Sequence, residues 1–185
     1  MAVTPSNMVP LRSKAHPFTL LDVVSGTKKS YEELREENGV VIMFICNHCP
    51  FVKHINQGLV RVANQYQKKG IRFVAISSND AKNYPEDSPE NMKEVAKKQQ
   101  YPFVYLYDET QEVAKKYKAA CTPDFFVYDS NDELFYRGQL DESRPGNDIP
   151  VTTSHLQEAL NKLLAGEQPP EEQIPSAGCG IKWKN

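Results

Sequence analysis

The chain has 185 residues, with 22 basic and 24 acidic side chains, a formal net charge of −2 and 39% apolar residues. That length suits one domain with a single core, and the near balance of charge implies no general affinity for nucleic acid or anionic membrane. No apolar run approaches the ~18 residues of a membrane span, and Met1 to Pro17 holds three prolines but no apolar leader. A cytoplasmic protein is expected, where thiols stay reduced, so its four cysteines point to redox or metal chemistry rather than a disulfide frame.

The elements follow in chain order. Phe18 to Val24 predicts a strand, Ser25-Gly26-Thr27 a turn, and Lys28 to Tyr31 a short returning strand. Ser30-Tyr31-Glu32-Glu33 has the form of a capping box opening a short helix that ends near Asn38-Gly39. Val40 to Ile45 is continuously apolar and β-branched, as in a strand covered on both faces. Val52, Ile55, Leu59, Val62 and Tyr66 then recur at steps of three and four, one apolar face of a helix closed by Gly70. Ile71 to Ser78 predicts a second parallel-type strand, Asn79 to Pro85 a loop, and Ser88-Pro89 the start of a helix to about Gln100 that turns Met92, Val95 and Ala96 inward. Phe103 to Tyr107 predicts a strand, Thr110 to Tyr117 a short helix, and Phe125 to Asp129 with Leu134 to Gly138 a β-hairpin. Thr153 to Ala165 predicts a last amphipathic helix with Leu156, Leu160, Leu163 and Leu164 inward, followed by a proline-rich tail. The lysines at 93, 97, 98, 115, 116 and 118 fit the solvated faces of two helices. The order predicts an α/β fold, a central mixed β-sheet flanked by helices.

The chemistry concentrates in Cys46-Asn47-His48-Cys49-Pro50, at the junction of the central strand and its helix. Two cysteines so spaced in a βαβ context form a redox pair, and Pro50 suits the first helical turn. The helix N-terminus favours a thiolate. Cys46, ahead of that turn, is expected to be the exposed nucleophile, and Cys49, within it, the resolving thiol. His48 stands between them, where an imidazolium stabilises the Cys46 thiolate and makes the pair more oxidising. Thr122-Pro123 comes about seventy residues later, just before a strand, where a cis X-Pro bond fits. A metal module is the alternative from another class: Cys46, Cys49 and Cys121 as soft ligands, with His48 or His54 completing the shell. Asp124 and Arg137 are taken as solvated and given no catalytic role.

Strand, C-x-x-C-P, amphipathic helix and Thr-Pro entering a hairpin resemble the thioredoxin fold. Phe18-Thr19-Leu20, the insertion over Asp80 to Gln100, Tyr136-Arg137-Gly138, Arg144-Pro145-Gly146-Asn147 and the terminal Ser176 to Lys184 are similar to the peroxiredoxin-like, AhpC/TSA and TlpA branch, and to uncharacterised members with the CNHCP motif. This resemblance implies a thioredoxin-like domain over 1–166, with an N-terminal β-hairpin extension, and a docked C-terminal tail over 167–185. It implies a thiol-disulfide oxidoreductase with catalytic Cys46, Cys49 and His48, and with Thr122 and Pro123 facing substrate. Ile45 and Asn47-His48 depart from the Trp and Gly-Pro of thioredoxins, and a histidine before the second cysteine is similar to protein disulfide isomerases. The alternative is a thiol-dependent peroxidase, against which the Pro-x-x-x-Thr/Ser-x-x-Cys pattern of typical peroxiredoxins is absent. Cys121 and Cys179 are candidate auxiliary thiols, Cys179 as a resolving thiol reaching Cys46 or Cys121. The expected partners are a protein or low-molecular-weight disulfide or a hydroperoxide, with a thioredoxin-type reductant; no cofactor, bound metal, nucleic acid or membrane is expected.

Overall fold

A computed structural model describes residues 3–184; residues 1, 2 and 185, at the outer ends of the two expected segments, lie outside it. Strand β4 (Val40–Phe44) occupies the middle of a seven-stranded mixed sheet, between β5 (Arg72–Ser77) and β8 (Asp124–Tyr128). It runs parallel to β5, Ile42 opposite Val74, and antiparallel to β8, Ile42 opposite Phe126. A central strand has apolar neighbours on both faces, which is why this run does not alternate. Val41 and Met43 pack on one side of the sheet and Val40, Ile42 and Phe44 on the other.

The sheet extends through β6 (Val104–Tyr107), β2 (Thr19–Asp22) and β3 (Lys28–Ser30) on one side, and β9 (Leu134–Gly138) on the other. Helix α1 (Tyr31–Leu34) has the expected capping box but stops well short of Asn38. Arg35 turns extended and ion-pairs with Asp132 of the β8–β9 turn at 2.9 Å. Helix α2 (Pro50–Gln67) begins on Cys49 as N-cap with Pro50 at its first position, and buries Val52, Ile55, Leu59, Val62 and Tyr66. Burial of such side chains is worth about 1.5–3 kcal/mol each. Helix α3 (Pro89–Lys98) starts on Ser88, whose hydroxyl accepts from the Asn91 amide at 3.4 Å; Met92 and Ala96 are buried and Val95 half-buried. Helices α4 (Glu112–Lys116) and α5 (Ser154–Leu164) complete the layers.

A second sheet has no counterpart in the predicted elements. It consists of β1 (Val3–Pro5), β10 (Ala177–Gly180) and β7 (Cys121–Thr122), all antiparallel, with Cys179 opposite both Val3 and Thr122. Each strand is short and lacks an apolar alternation. Gly178 lets β10 approach β7 closely, because a Cβ there would run into the Thr122 carbonyl oxygen. Among the described residues, no helix is long and apolar enough to cross a membrane.

Candidate active site

The ends of β4 and β5 lie side by side because the two strands are parallel, so the segments leaving them meet at one edge of the sheet. The segment after β4 carries Cys46 and Cys49, and the segment after β5 carries a 3-10 turn, Pro85–Asp87. Cys46 and Cys49 lie close enough for each thiol to shift the titration of the other. The expected exposure of Cys46 is not found: Cys46 is 2% exposed and Cys49 fully buried. Thr122 closes over both, with its Oγ1 3.4 Å from Cys46 Sγ and its carbonyl oxygen 3.2 Å from Cys49 Sγ. The Thr122–Pro123 bond is cis.

The electrostatics differ from the sequence expectation in which Cys46 holds the charge. The hydrogen bond from Cys46, joined by those from Cys179 and Thr122, outweighs burial and pulls Cys49 down to about 5. Cys46 moves upward, through its hydrogen bond to Cys49, its burial and the nearby charge of Asp87. The two groups titrate as a pair, and their surroundings favour charge on Cys49 over Cys46. The contact to the Thr122 carbonyl is a donor contact and belongs to the protonated form of Cys49.

Asp87, which sequence reasoning missed, organises the loop. Its fully buried carboxylate accepts from the backbone amides of Asn47 at 2.7 Å and His48 at 3.3 Å, and from the Asn79 side chain at 2.7 Å. Its Oδ2 stands 2.6 Å from Nδ1 of His48, which fixes the ring, and Tyr84 stacks on the other side of that imidazole with centroids 5.6 Å apart. Asn47 donates to the Glu86 carbonyl at 2.7 Å and accepts from the Tyr105 hydroxyl at 3.1 Å. The only signal in the sequence was Pro85-Glu86-Asp87-Ser88-Pro89, an acidic turn between prolines in the loop after a parallel strand.

Cys179 does not reach Cys46 or Cys121 as expected; its sulfur lies 2.8 Å from that of Cys49. The β1–β10–β7 pairing carries it there. Cys121 points elsewhere, its Sγ 3.7 Å from the Pro123 carbonyl, and burial pushes its thiol far up. The expected metal shell of Cys46, Cys49 and Cys121 with a histidine does not assemble. His54 is exposed on α2, and the ligand atoms that fall within 4.8 Å of one another are those of Cys46, His48 and Asp87. Asp124 and Arg137 are not solvated: they form a fully buried ion pair at 3.0 Å, and Arg137 also donates to the carbonyl of Lys118 at 3.1 Å. Strand positions in β8 and β9 take both side chains out of water, and a buried charge persists only when paired. A cleft beside Phe51, Pro123 and Arg144 borders this edge, but neither Cys46 nor Cys49 lines it.

Comparison with known proteins fits this architecture. The profile of the AhpC/TSA family matches residues 11–137. No curated protein matches the chain. A solved structure from Geobacillus kaustophilus, described as an uncharacterized conserved protein, is 59% identical with a TM-score of 0.98, over 100% of this chain and 97% of that one. A hypothetical protein from Sinorhizobium meliloti is 42% identical with a TM-score of 0.95, over 98% of each chain. The thioredoxin domain of a Bacteroides vulgatus thiol-disulfide oxidoreductase aligns at 16% identity and a TM-score of 0.63, over 83% of this chain and all of that one, and shares the fold.

Proposed function

Because the chain belongs to the AhpC/TSA family, we propose that it is a thiol-disulfide oxidoreductase working through a Cys46–Cys49 dithiol. Family membership supports a thiol redox function; the convergence of both thiols on Thr122 at the start of α2 carries the finer reading. Only the thiolate attacks a disulfide. Passing a proton from Cys46 to Cys49 places the charge on Cys46, which lies nearer His48 and the Thr122 hydroxyl. Cys46 attacks one sulfur of the substrate disulfide and releases the first thiolate. Cys49 then attacks the Cys46 sulfur, its proton going to the first released thiolate, and the second substrate sulfur departs as a thiolate that takes a proton from solvent. One disulfide is reduced, and one forms between Cys46 and Cys49. His48, held by Asp87, tunes this step, and Thr122 and Pro123 border the place where substrate sulfur arrives. With both thiols buried, the favoured substrates are low-molecular-weight disulfides.

The test is stoichiometric reaction of the reduced protein with hydroxyethyl disulfide, followed by acid quenching and mass analysis. Loss of two thiols, with a mixed disulfide on Cys46 trapped in the Cys49→Ser variant, is the expected result. Absence of any adduct on Cys46 overturns the reading.

A thiol-dependent peroxidase is the second reading, and the Thr122 hydroxyl favours it. It supplies beside Cys46 a donor that the local sequence lacks. There Cys46 becomes a sulfenic acid that Cys49 resolves; peroxide consumption outpacing disulfide reduction would select it. The Cys46–His48–Asp87 cluster supports zinc or copper(I) binding instead, which stoichiometric metal in the purified protein would establish.

A further inference from the structure

Cys49 has sulfur neighbours on two sides. Cys46 is near enough within the loop to shift its titration, and Cys179 Sγ lies 2.8 Å away, against the ~2.05 Å of a disulfide bond. The second neighbour is held from both sides. Cys179 pairs with Val3 of β1 and with Thr122 of β7. Just beyond it the Ile181 amide donates to the Ala120 carbonyl at 3.1 Å, and the Lys182 amide donates to Asn79 Oδ1 at 2.9 Å. Asn79 also donates to Asp87, so the tail is tied to the residue that organises the Cys46 loop. Glycine at 178 permits the close approach, since any side chain there meets the Thr122 backbone. All three sulfurs are buried, at 2% exposure or less, so the nearest thiol available to an oxidised Cys49 is part of the same chain.

Building on the dithiol reading above, we propose that Cys179 is a third redox thiol, which exchanges into the Cys46–Cys49 disulfide so that the oxidised protein comes to rest as Cys49–Cys179. The step is an internal thiol-disulfide exchange. The Cys179 sulfur gives up its proton and attacks Cys49, the Cys49–Cys179 bond forms, the Cys46–Cys49 bond breaks, and Cys46 leaves as a thiolate that takes up a proton. One disulfide is exchanged for another, with no net oxidation and no further reagent. The consequence is that Cys46, the thiol with the histidine, aspartate and threonine around it, is restored while the oxidising equivalents are stored on the tail. A second substrate disulfide can then be captured as a mixed disulfide before the first pair has been reduced. A reductant acting on the resting form attacks a bond that joins the tail strand to the start of α2.

The experiment oxidises full-length reduced protein with one equivalent of hydroxyethyl disulfide. Acid quenching at intervals, alkylation of the remaining thiols and peptide mapping without reduction then locate the bond. The expected record is Cys46–Cys49 at early times, giving way to Cys49–Cys179 with Cys46 alkylated, whereas Cys179→Ser stays at Cys46–Cys49 indefinitely. Cys179→Ala, with a circular dichroism spectrum matching the parent, guards against a packing effect of the serine hydroxyl. A wild-type endpoint of Cys46–Cys49 with Cys179 alkylated overturns the proposal and leaves the dithiol reading standing. If no disulfide forms at Cys46 in wild type or either Cys179 variant, the dithiol reading itself fails.

Discussion

The two sheets of this molecule are built on opposite plans. The middle of the seven-stranded sheet is assembled from apolar runs, and its central residues Val41, Ile42 and Met43 are completely buried. The three-stranded sheet is assembled from Val3–Pro5, Cys121–Thr122 and Ala177–Gly180, short pieces with little apolar side chain to bury. Hydrophobic burial holds the first; backbone pairing and the close approach allowed by glycine hold the second. The difference teaches where stability and chemistry reside. The large sheet sets where β4 and β5 end, and the small one places Thr122 and Cys179 against the sulfurs that emerge there.

That contrast can be broken in four ways, from the largest expected effect to the smallest. The first is a titration. Because Cys46, Cys179 and Thr122 pull Cys49 down from 9.0 to about 5, thiolate absorbance near 240 nm in the reduced protein should fall with a midpoint near pH 5 and vanish in Cys49→Ser. The linkage has a definite sign. The depressed folded value makes Cys49 contribute stability that is full above its unfolded value and lost as pH falls through about 5. The reduced protein should therefore gain resistance to urea from pH 5 toward 9, more than its Cys49→Ser variant. Matching pH profiles for the two would sink the argument.

Next comes the large sheet itself. Ile42→Ala should cost about 2–5 kcal/mol in urea unfolding, the usual penalty for emptying a packed core site, while the midpoint of the thiolate titration stays where it was. Third, Gly178→Val should loosen the small sheet and leave the large one folded. Native-state alkylation of Cys49 should then rise about tenfold, the signature of a local opening eased by ~1.4 kcal/mol; an unchanged rate would mean that the tail does not guard the thiols. Smallest is His48→Ala, which should raise the Cys46 thiol further and lower the reduction potential of the pair by about 30 mV, or 1.4 kcal/mol. A potential equal to that of the parent would leave His48 without a tuning role.

The same contrast explains what could be read from the residues alone. Val40 to Ile45 and the α2 periodicity carry their structure in local pattern, so the central strand, its helix and the cysteine pair between them were all legible. So was the Ser30 capping box, which depends on residues three apart. β1, β7 and β10 were not: β1 and β10 pair across opposite ends of the chain, β7 is two residues long, and no periodicity announces any of them. Asp87 was hidden for a related reason. An acidic residue in a proline-flanked turn looks solvated until the parallel pairing of β4 with β5 brings it under the Cys46 loop. Asp124 and Arg137 were misjudged because each looked like an ordinary surface charge, and only the adjacency of β8 and β9 turns them into a buried pair. The direction of Cys179 followed the same rule: its contact with Cys49 is set by pairings with distant segments.

One further consequence concerns the order of folding. The pairing of β1 with β10 joins Val3 to Cys179, the most sequence-distant strand pairing among the described residues, and such loop closures are slow. The longest strand pairing of the large sheet, β4 with β8, joins Val40 to Tyr128, so contact distance favours its forming before the two ends of the chain meet. During that interval Cys179 is held on the β7 side alone, without β1 on its other flank. A freshly made chain thus leaves the outer edge of β10 open until its first strand arrives, and an extended segment of another chain can pair there in its place.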